Sequence, residues 1–134
     1  MTKGIVSCPG SCGELFQGLV GNQEVLLSYG IEKRSRVRLD GTSSLARQAQ
    51  GEKVRRALEL LPESNVFSFV QESDLPISKG YSSSTADMVS CLQAVSLGQK
   101  QPLKAADLTC LCAMIEPTDS VAFANWTVID PLTG

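Results

Sequence analysis

The sequence predicts an α+β fold, and three observations predict it. β-prone runs broken by glycine fill roughly the first forty residues. Apolar residues then recur at helical spacing through most of the remainder. The two kinds of segment follow one another as strands, helix, strand, helix, helix, which is neither the alternation of a parallel α/β fold nor an all-helical pattern. At 134 residues the chain is long enough for one domain and too short for two of ordinary size.

Gly4 to Cys8 is a short β-prone run, punctuated by Pro9-Gly10. Runs from Glu14 to Val20 and from Glu24 to Tyr29 follow, joined by Gly21-Asn22 as a hairpin turn. From Glu32 to Asp40, Arg34, Arg36 and Arg38 alternate with Ser35, Val37 and Leu39, giving a strand with a basic face and a more apolar one. That basic face reads either as a solvated surface or as a rim near a phosphorylated ligand. Gly41-Thr42-Ser43-Ser44 breaks the strands and offers helix caps. Leu45, Ala49, Val54, Ala57, Leu58 and Leu61 recur at helical spacing until Pro62 stops the run.

Asn65 to Gln71, with Val66, Phe67, Phe69 and Val70, has strong strand propensity. A polar loop from Glu72 to Ser82 leads into a second helix, with Ala86, Val89, Leu92 and Val95 or Ser96 on one stripe and Gly98 at its end. A third helix runs from about Leu103 to Ile115, with Ala105, Leu108, Leu111, Cys112 and Ile115 toward the core, and Pro117 closes it. Trp126 to Ile129 begins another strand, and Asp130 to Gly134 falls in that strand region.

Composition removes several function classes. Apolar residues make up 43% and charged residues 19%, as in ordinary globular domains, so the chain is expected neither to be disordered nor to enter a membrane. No apolar run approaches the roughly 20 residues a membrane-spanning helix needs, and no signal peptide is expected. A net charge of −2 argues against nucleic acid as partner. The chain has no histidine, which removes Ser-His-Asp and Cys-His catalysis and histidine as general base or zinc ligand. Its five cysteines are odd in number and form no C-x-x-C pair, against a disulfide framework or a zinc knuckle. Cys91, Cys110 and Cys112 lie in helical patterns and read as small core residues, and the whole set suits a reducing cytoplasm.

The stretch that carries chemistry is Asp74-Leu75-Pro76-Ile77-Ser78-Lys79-Gly80-Tyr81-Ser82-Ser83-Ser84-Thr85-Ala86-Asp87, a hydroxyl-rich loop delivered into the start of a helix. The first turn of a helix has N–H groups without intrahelical partners and roughly half a positive charge, which together make an anion site. Gly80 lets backbone approach a ligand, Lys79 supplies a mobile charge, and the serines offer hydroxyls. The same letters also fit a capping box, Ser84 answered three residues later by Asp87. It is not a Walker loop, because the lysine does not precede a hydroxyl residue.

The string from Pro76 to Asp87 resembles the second motif of the GHMP kinase superfamily, P-x-x-x-G-L-G-S-S-A-A, with Gly80 on the first glycine, Ser82 on the second, and Ser83-Ser84 on the serine pair. The opening C-P-G-S-C-G-E-L-F-Q-G, Cys8 to Gly18, and I-E-P-T-D-S, Ile115 to Ser120, are similar to those of the L-threonine kinase branch that serves cobalamin synthesis. The resemblance implies a ribosomal protein S5 domain 2-like fold and transfer of phosphate from ATP, with Mg2+, to a small-molecule hydroxyl. Pro76, Ser78, Lys79, Gly80, Tyr81, Ser82, Ser83, Ser84, Thr85 and Ala86 would wrap the ATP phosphates. Ser84 and Glu116 would approach the magnesium ion. Asp119 would orient the acceptor hydroxyl and, with Lys79, form the catalytic set. Ser11, Cys12, Gly13 and Glu14 would line the acceptor pocket, Ser11 standing where many members carry a basic residue.

Phosphoryl transfer needs alignment and charge neutralisation more than covalent help, so the missing histidine is no handicap. A carboxylate of ordinary pKa, about 3.9, is a weak base toward an alcohol, which favours orientation over deprotonation as the role of Asp119. Superfamily members are about twice this long, so the chain reads as the N-terminal, ATP-binding portion without its C-terminal domain. The surface that domain would cover is then expected to favour self-association. A kinase for another small alcohol such as homoserine, and a non-catalytic S5-like binding module, are the alternative readings.

Overall fold

The structure is a computed structural model and describes residues 4–41, 51–64, 67–76 and 79–134. Two long antiparallel strands, β1 (Ile5–Val20) and β2 (Gln23–Gly41), form a hairpin around Gly21, whose φ of +63° suits the tight turn. The runs expected to be separate strands are thus joined. Pro9-Gly10 does not end β1 but bends it, since the register shifts between Pro9 and Ser11 and again before Glu14 and Phe16. A proline is tolerated there because β1 lies at the sheet edge.

β3 (Ser68–Ser73) pairs antiparallel with the second half of β2, setting Val37 opposite Gln71 and Leu39 opposite Phe69. β4 is only Val128–Ile129, paired with Leu27 and Leu26. The last residues are not strand: Gly134 and Thr133 donate their N–H groups to the Asp130 carbonyl, at 2.8 and 3.3 Å, closing a turn. Proline at 131 cannot continue the ladder, which ends β4 early.

Three helices complete the described fold: α1 (Glu52–Glu59), α2 (Ser83–Gly98) and α3 (Ala105–Ala113). Leu45, Ala49, Val66, Ile77 and Ser78 lie outside the described residues. α2 occupies the centre, against β1, β2 and β3 on one side and flanked by α1 and α3. Instead of one apolar stripe it is buried nearly all round, including Thr85, Ser90 and Ser96. Those hydroxyls are paid no desolvation penalty only where they find acceptors: Ser90 donates to the Ala86 carbonyl at 2.7 Å and Ser96 to that of Gln93 at 2.9 Å. Phe69, Met88, Leu92, Val37 and Val95 fill the core between helix and sheet.

Along β2 the expected alternation holds, with Ser35 and Val37 buried and Arg38 exposed. Arg34 donates to Ser7 Oγ at 2.9 Å, and Arg36 pairs with Asp74, also at 2.9 Å, holding that carboxyl below its ordinary range. All five cysteines are free. Cys91 and Cys112 are core residues as expected, but Cys110 is exposed, because α3 turns that face outward, and Cys8 is buried from β1. Burial pushes the Cys8 and Cys112 thiols up to about 12.

A thiol with a higher pKa folded than unfolded contributes stability below its unfolded value and loses it as pH climbs toward the folded one. Stability should therefore fall as pH rises from about 9 toward 12. At pH 8, a thiol reagent should modify Cys12 and Cys110 rapidly and Cys8, Cys91 and Cys112 only at the unfolding rate; fast labelling of Cys8 would contradict this packing.

Candidate active site

The serine loop reaches α2 through two left-handed residues, Gly80 at φ +78° and Ser82 at φ +56°. Ser82 is the N-cap of α2 in this conformation, which costs a non-glycine residue about 1–2 kcal/mol. It stands where the resembling motif has its second glycine, so the backbone glycine would adopt is kept and a hydroxyl is added. The capping box does not form: no side chain caps α2, and Asp87 is directed toward Ser35 of β2. Burial pushes the Asp87 carboxyl up, and its Oδ1 has no partner among the described residues.

Because nothing caps the helix, the amides of Ser83, Ser84 and Thr85 take no protein acceptor among the described residues. Ala86 does not belong with them: its N–H is already bonded to the Ser82 carbonyl at 3.0 Å. The Thr85 and Ala86 side chains are buried, so only backbone of Thr85 is available to a ligand. Lys79 and Gly80 are exposed, Tyr81 packs its ring against the core, Pro76 is half-buried, and space is open around the Gly80 α-carbon.

Residues 116–120 arrive at this helix end from the exit of α3. Ser84 Oγ donates to Glu116 Oε1 at 2.6 Å, and Ser82 Oγ donates to Asp119 Oδ2. Asp119 Oδ1 is buried with no partner among the described residues. Two anchors hold the segment. Ser120 and Ser28 of β2 bond reciprocally, hydroxyl to hydroxyl at 2.9 Å and each backbone N–H to the other's hydroxyl, while Thr118 N–H donates to the Pro131 carbonyl at 2.8 Å.

The first motif divides. Ser11, expected at the acceptor, is buried and tied to the serine loop instead: its N–H donates to the Tyr81 carbonyl at 3.0 Å and its hydroxyl meets Ser82 Oγ at 2.7 Å. Cys12 is exposed, with its sulfur 2.7 Å from the Tyr29 hydroxyl, a contact that raises the Tyr29 pKa. Gly13 takes φ +108° at the β1 bulge. Glu14 lines a recess of about 290 Å³ together with Thr118 and Asp119. A larger concavity of about 660 Å³ lies further down α2, beside Val89 and Gln93, and does not include the serine loop. The open helix end offers exposed donors of the kind that hold anions, which need no enclosed volume.

A magnesium nucleotide fits these donors. Uncommitted amides can meet phosphate oxygens, and the Ser84 hydroxyl and Glu116 carboxylate are hard ligands of the kind Mg2+ takes. Among the described residues no group of three or more Asp, Glu, Cys or His could hold a metal alone. Magnesium is ordinarily held by one or two carboxylates together with phosphates, so the site matches that pattern.

A family model described as GHMP kinases N terminal domain matches residues 51–125, more than half the chain. The chain belongs to the GHMP kinase N-terminal domain family. It is 33% identical over 132 residues to a Salmonella typhimurium protein named L-threonine kinase, and 35% identical over 132 residues to one of the same name from Citrobacter freundii. Both comparisons cover 94% of this chain but only 44% and 46% of those relatives, so the chain spans under half their length. Among solved structures, the Methanococcus jannaschii mevalonate kinase superposes with a TM-score of 0.68 at 16% identity, over 98% of this chain and 54% of that one. A second mevalonate kinase structure gives 0.68 at 18% identity, over 94% and 53%. These likenesses show the fold.

Within this GHMP kinase N-terminal domain, the sequence motifs missed one charged participant. Lys53, on α1, forms an ion pair with Glu116 Oε2, whereas Lys79 makes no ion pair among the described residues. No motif spacing marks Lys53; only the packing of α1 beside α2 brings it near. Among the described residues, no helix is long and apolar enough to cross a membrane.

Gly10 fixes how β1 meets the serine loop. A Cβ there would lie 2.3 Å from Leu75 Cδ2 and 2.4 Å from the Tyr81 carbonyl oxygen. Gly10→Ala should lower stability by about 1–3 kcal/mol in urea unfolding and expose the loop to proteolysis. An unchanged midpoint and cleavage rate would mean that this contact yields freely.

Proposed function

We propose that this chain is the nucleotide-binding portion of an ATP-dependent kinase that phosphorylates L-threonine on its side-chain hydroxyl, giving O-phospho-L-threonine for cobalamin synthesis. One observation carries the reading. Two carboxylates more than thirty residues downstream meet alternate serine hydroxyls, Ser82 and Ser84, at the uncapped start of α2. A helix needing only structural closure would take a cap; this one leaves its amides free and brings acids to its side.

On this reading the amides of Ser83, Ser84 and Thr85 receive phosphate oxygens, and the left-handed turn at Gly80 and Ser82 keeps side chains out of the way. Ser84 and Glu116 would hold Mg2+, which supplies charge neutralisation on the phosphates when bound. Asp119 orients the acceptor hydroxyl from the wall it shares with Glu14, its carboxylate accepting a hydrogen bond from that hydroxyl. Holding the acceptor in line accounts for much of the acceleration such a site can give, about 7–11 kcal/mol in favourable cases.

The threonine assignment draws support from the names of the two relatives, 33% and 35% identical. Their greater length supports a second, C-terminal domain as the other wall of the acceptor cleft. The S5 domain 2-like fold name and a cytoplasmic site belong to the same reading, the latter in keeping with five free thiols.

Asp119→Asn should lower turnover by orders of magnitude while Mg-ATP affinity stays within about threefold, measured by phosphate transfer and calorimetry in the full-length protein. Ser84→Ala should weaken Mg-ATP binding about tenfold, one charge-assisted contact's worth. Wild-type turnover in Asp119→Asn would reject the orienting role. A panel of threonine, serine, homoserine and amino alcohols would test the acceptor, and preference for anything but threonine would replace the substrate named here.

A further inference from the structure

We propose that Lys53 is the mobile cation of the phosphate site: its ammonium neutralises Glu116 in the absence of metal and turns to the nucleotide phosphates once a divalent cation takes the carboxylate. This rests on the kinase reading above and adds a residue to it that lies outside every motif.

The position of Glu116 makes the argument. Both its oxygens are engaged, Oε1 by the Ser84 hydroxyl at 2.6 Å and Oε2 by Lys53. The side chain of Glu116 is 21% exposed and that of Lys53 is 52% exposed, so the acid is held in place while the base reaches it from solvent. A hydrogen bond, a carboxylate and an ion pair laid end to end put the ammonium within roughly 7 Å of Ser84 Oγ. That is the distance range over which a charge still acts strongly on phosphates bound at the α2 amides.

The pairing differs from the rest of α1. Arg55 bonds within its own helix, to Glu52 and Glu59, as surface charges at i±3 and i±4 do. Lys53 instead leaves α1 for a carboxylate 63 residues on. The first motif offers Ser11 in place of a cation, and Lys79 is exposed and makes no ion pair among the described residues. Among the ion pairs of the described residues, that of Lys53 is the one made to a residue of the proposed nucleotide site. Its flexible stem lets the charge move without backbone change. A metal held by Glu116 would compete with Lys53 for the carboxylate, and the ammonium so released would lie near phosphates held at the α2 amides.

Two binding measurements, neither of them of activity, test this in the full-length protein at low salt. Free Mn2+ is followed by paramagnetic resonance and ATP at saturating Mn2+ by calorimetry. Lys53→Met should bind Mn2+ about five to ten times more tightly, because the competing charge is gone, and ATP about five to ten times more weakly. Lys53→Arg should stay within twofold of wild type in both. If Lys53→Met leaves both affinities within twofold while wild type binds them, Lys53 is only a surface partner and the proposal falls alone. Should both affinities fall together, the substitution has distorted the site and the proposal also falls. If the wild-type protein binds neither Mn2+ nor ATP, the kinase reading falls with it.

Discussion

α2 is buried along its flanks and open at its start, and the arrangement of the site depends on that contrast. Its 16 residues span about 24 Å through the middle of the domain. Neighbours exclude water along its sides, so the partial positive charge of the helix is presented at one end, where three amides take no acceptor among the described residues. Glu116 and Asp119 lie beside this end, through the hydroxyls of Ser84 and Ser82. They gain from its field, by typically 0.3–1 kcal/mol for such a charge near a helix start. On the proposed kinase reading a triphosphate would need the same field, and two acids and a triphosphate could share it only if further positive charge were supplied.

Much of the fold was legible because it rests on local rules. Periodicity located α2 and α3, Gly21-Asn22 located the hairpin, and alternation along β2 separated buried Ser35 and Val37 from Arg38. What could not be read came from tertiary contact. Pro9-Gly10 looks like a terminator in isolation, but an edge strand absorbs it as a bulge and continues. An apolar stripe was expected on α2, yet a helix enclosed by a sheet and two neighbours buries its serines as well, each satisfied by a nearby carbonyl. Asp130 to Gly134 turns because Pro131 cannot join a ladder.

The site divides along the same line. The loop from Lys79 to Thr85 and the two carboxylates were visible as motifs, since residue type and spacing are what such chemistry requires. Two competing descriptions of Ser84-Thr85-Ala86-Asp87 could not be separated until the partner of Ser84 was known to be Glu116 rather than a backbone amide. Ser11 sits in a motif, and its bonds to Tyr81 and Ser82, which tie the serine loop to β1, could not be read from that motif. Lys53 belongs to no motif and enters through the docking of one helix against another.

Ser82 has one proton to give and gives it to Asp119, so the proton shared between Ser82 and Ser11 must come from Ser11. The hydroxyls therefore point in sequence from the first strand toward the carboxylate, each polarising the next. Their direction is a record of the negative charge at the far end. Remove the Asp119 carboxylate, and nothing obliges the two serines to keep facing the same way: one side chain beyond α3 sets an orientation at the sheet edge, two hydroxyls distant.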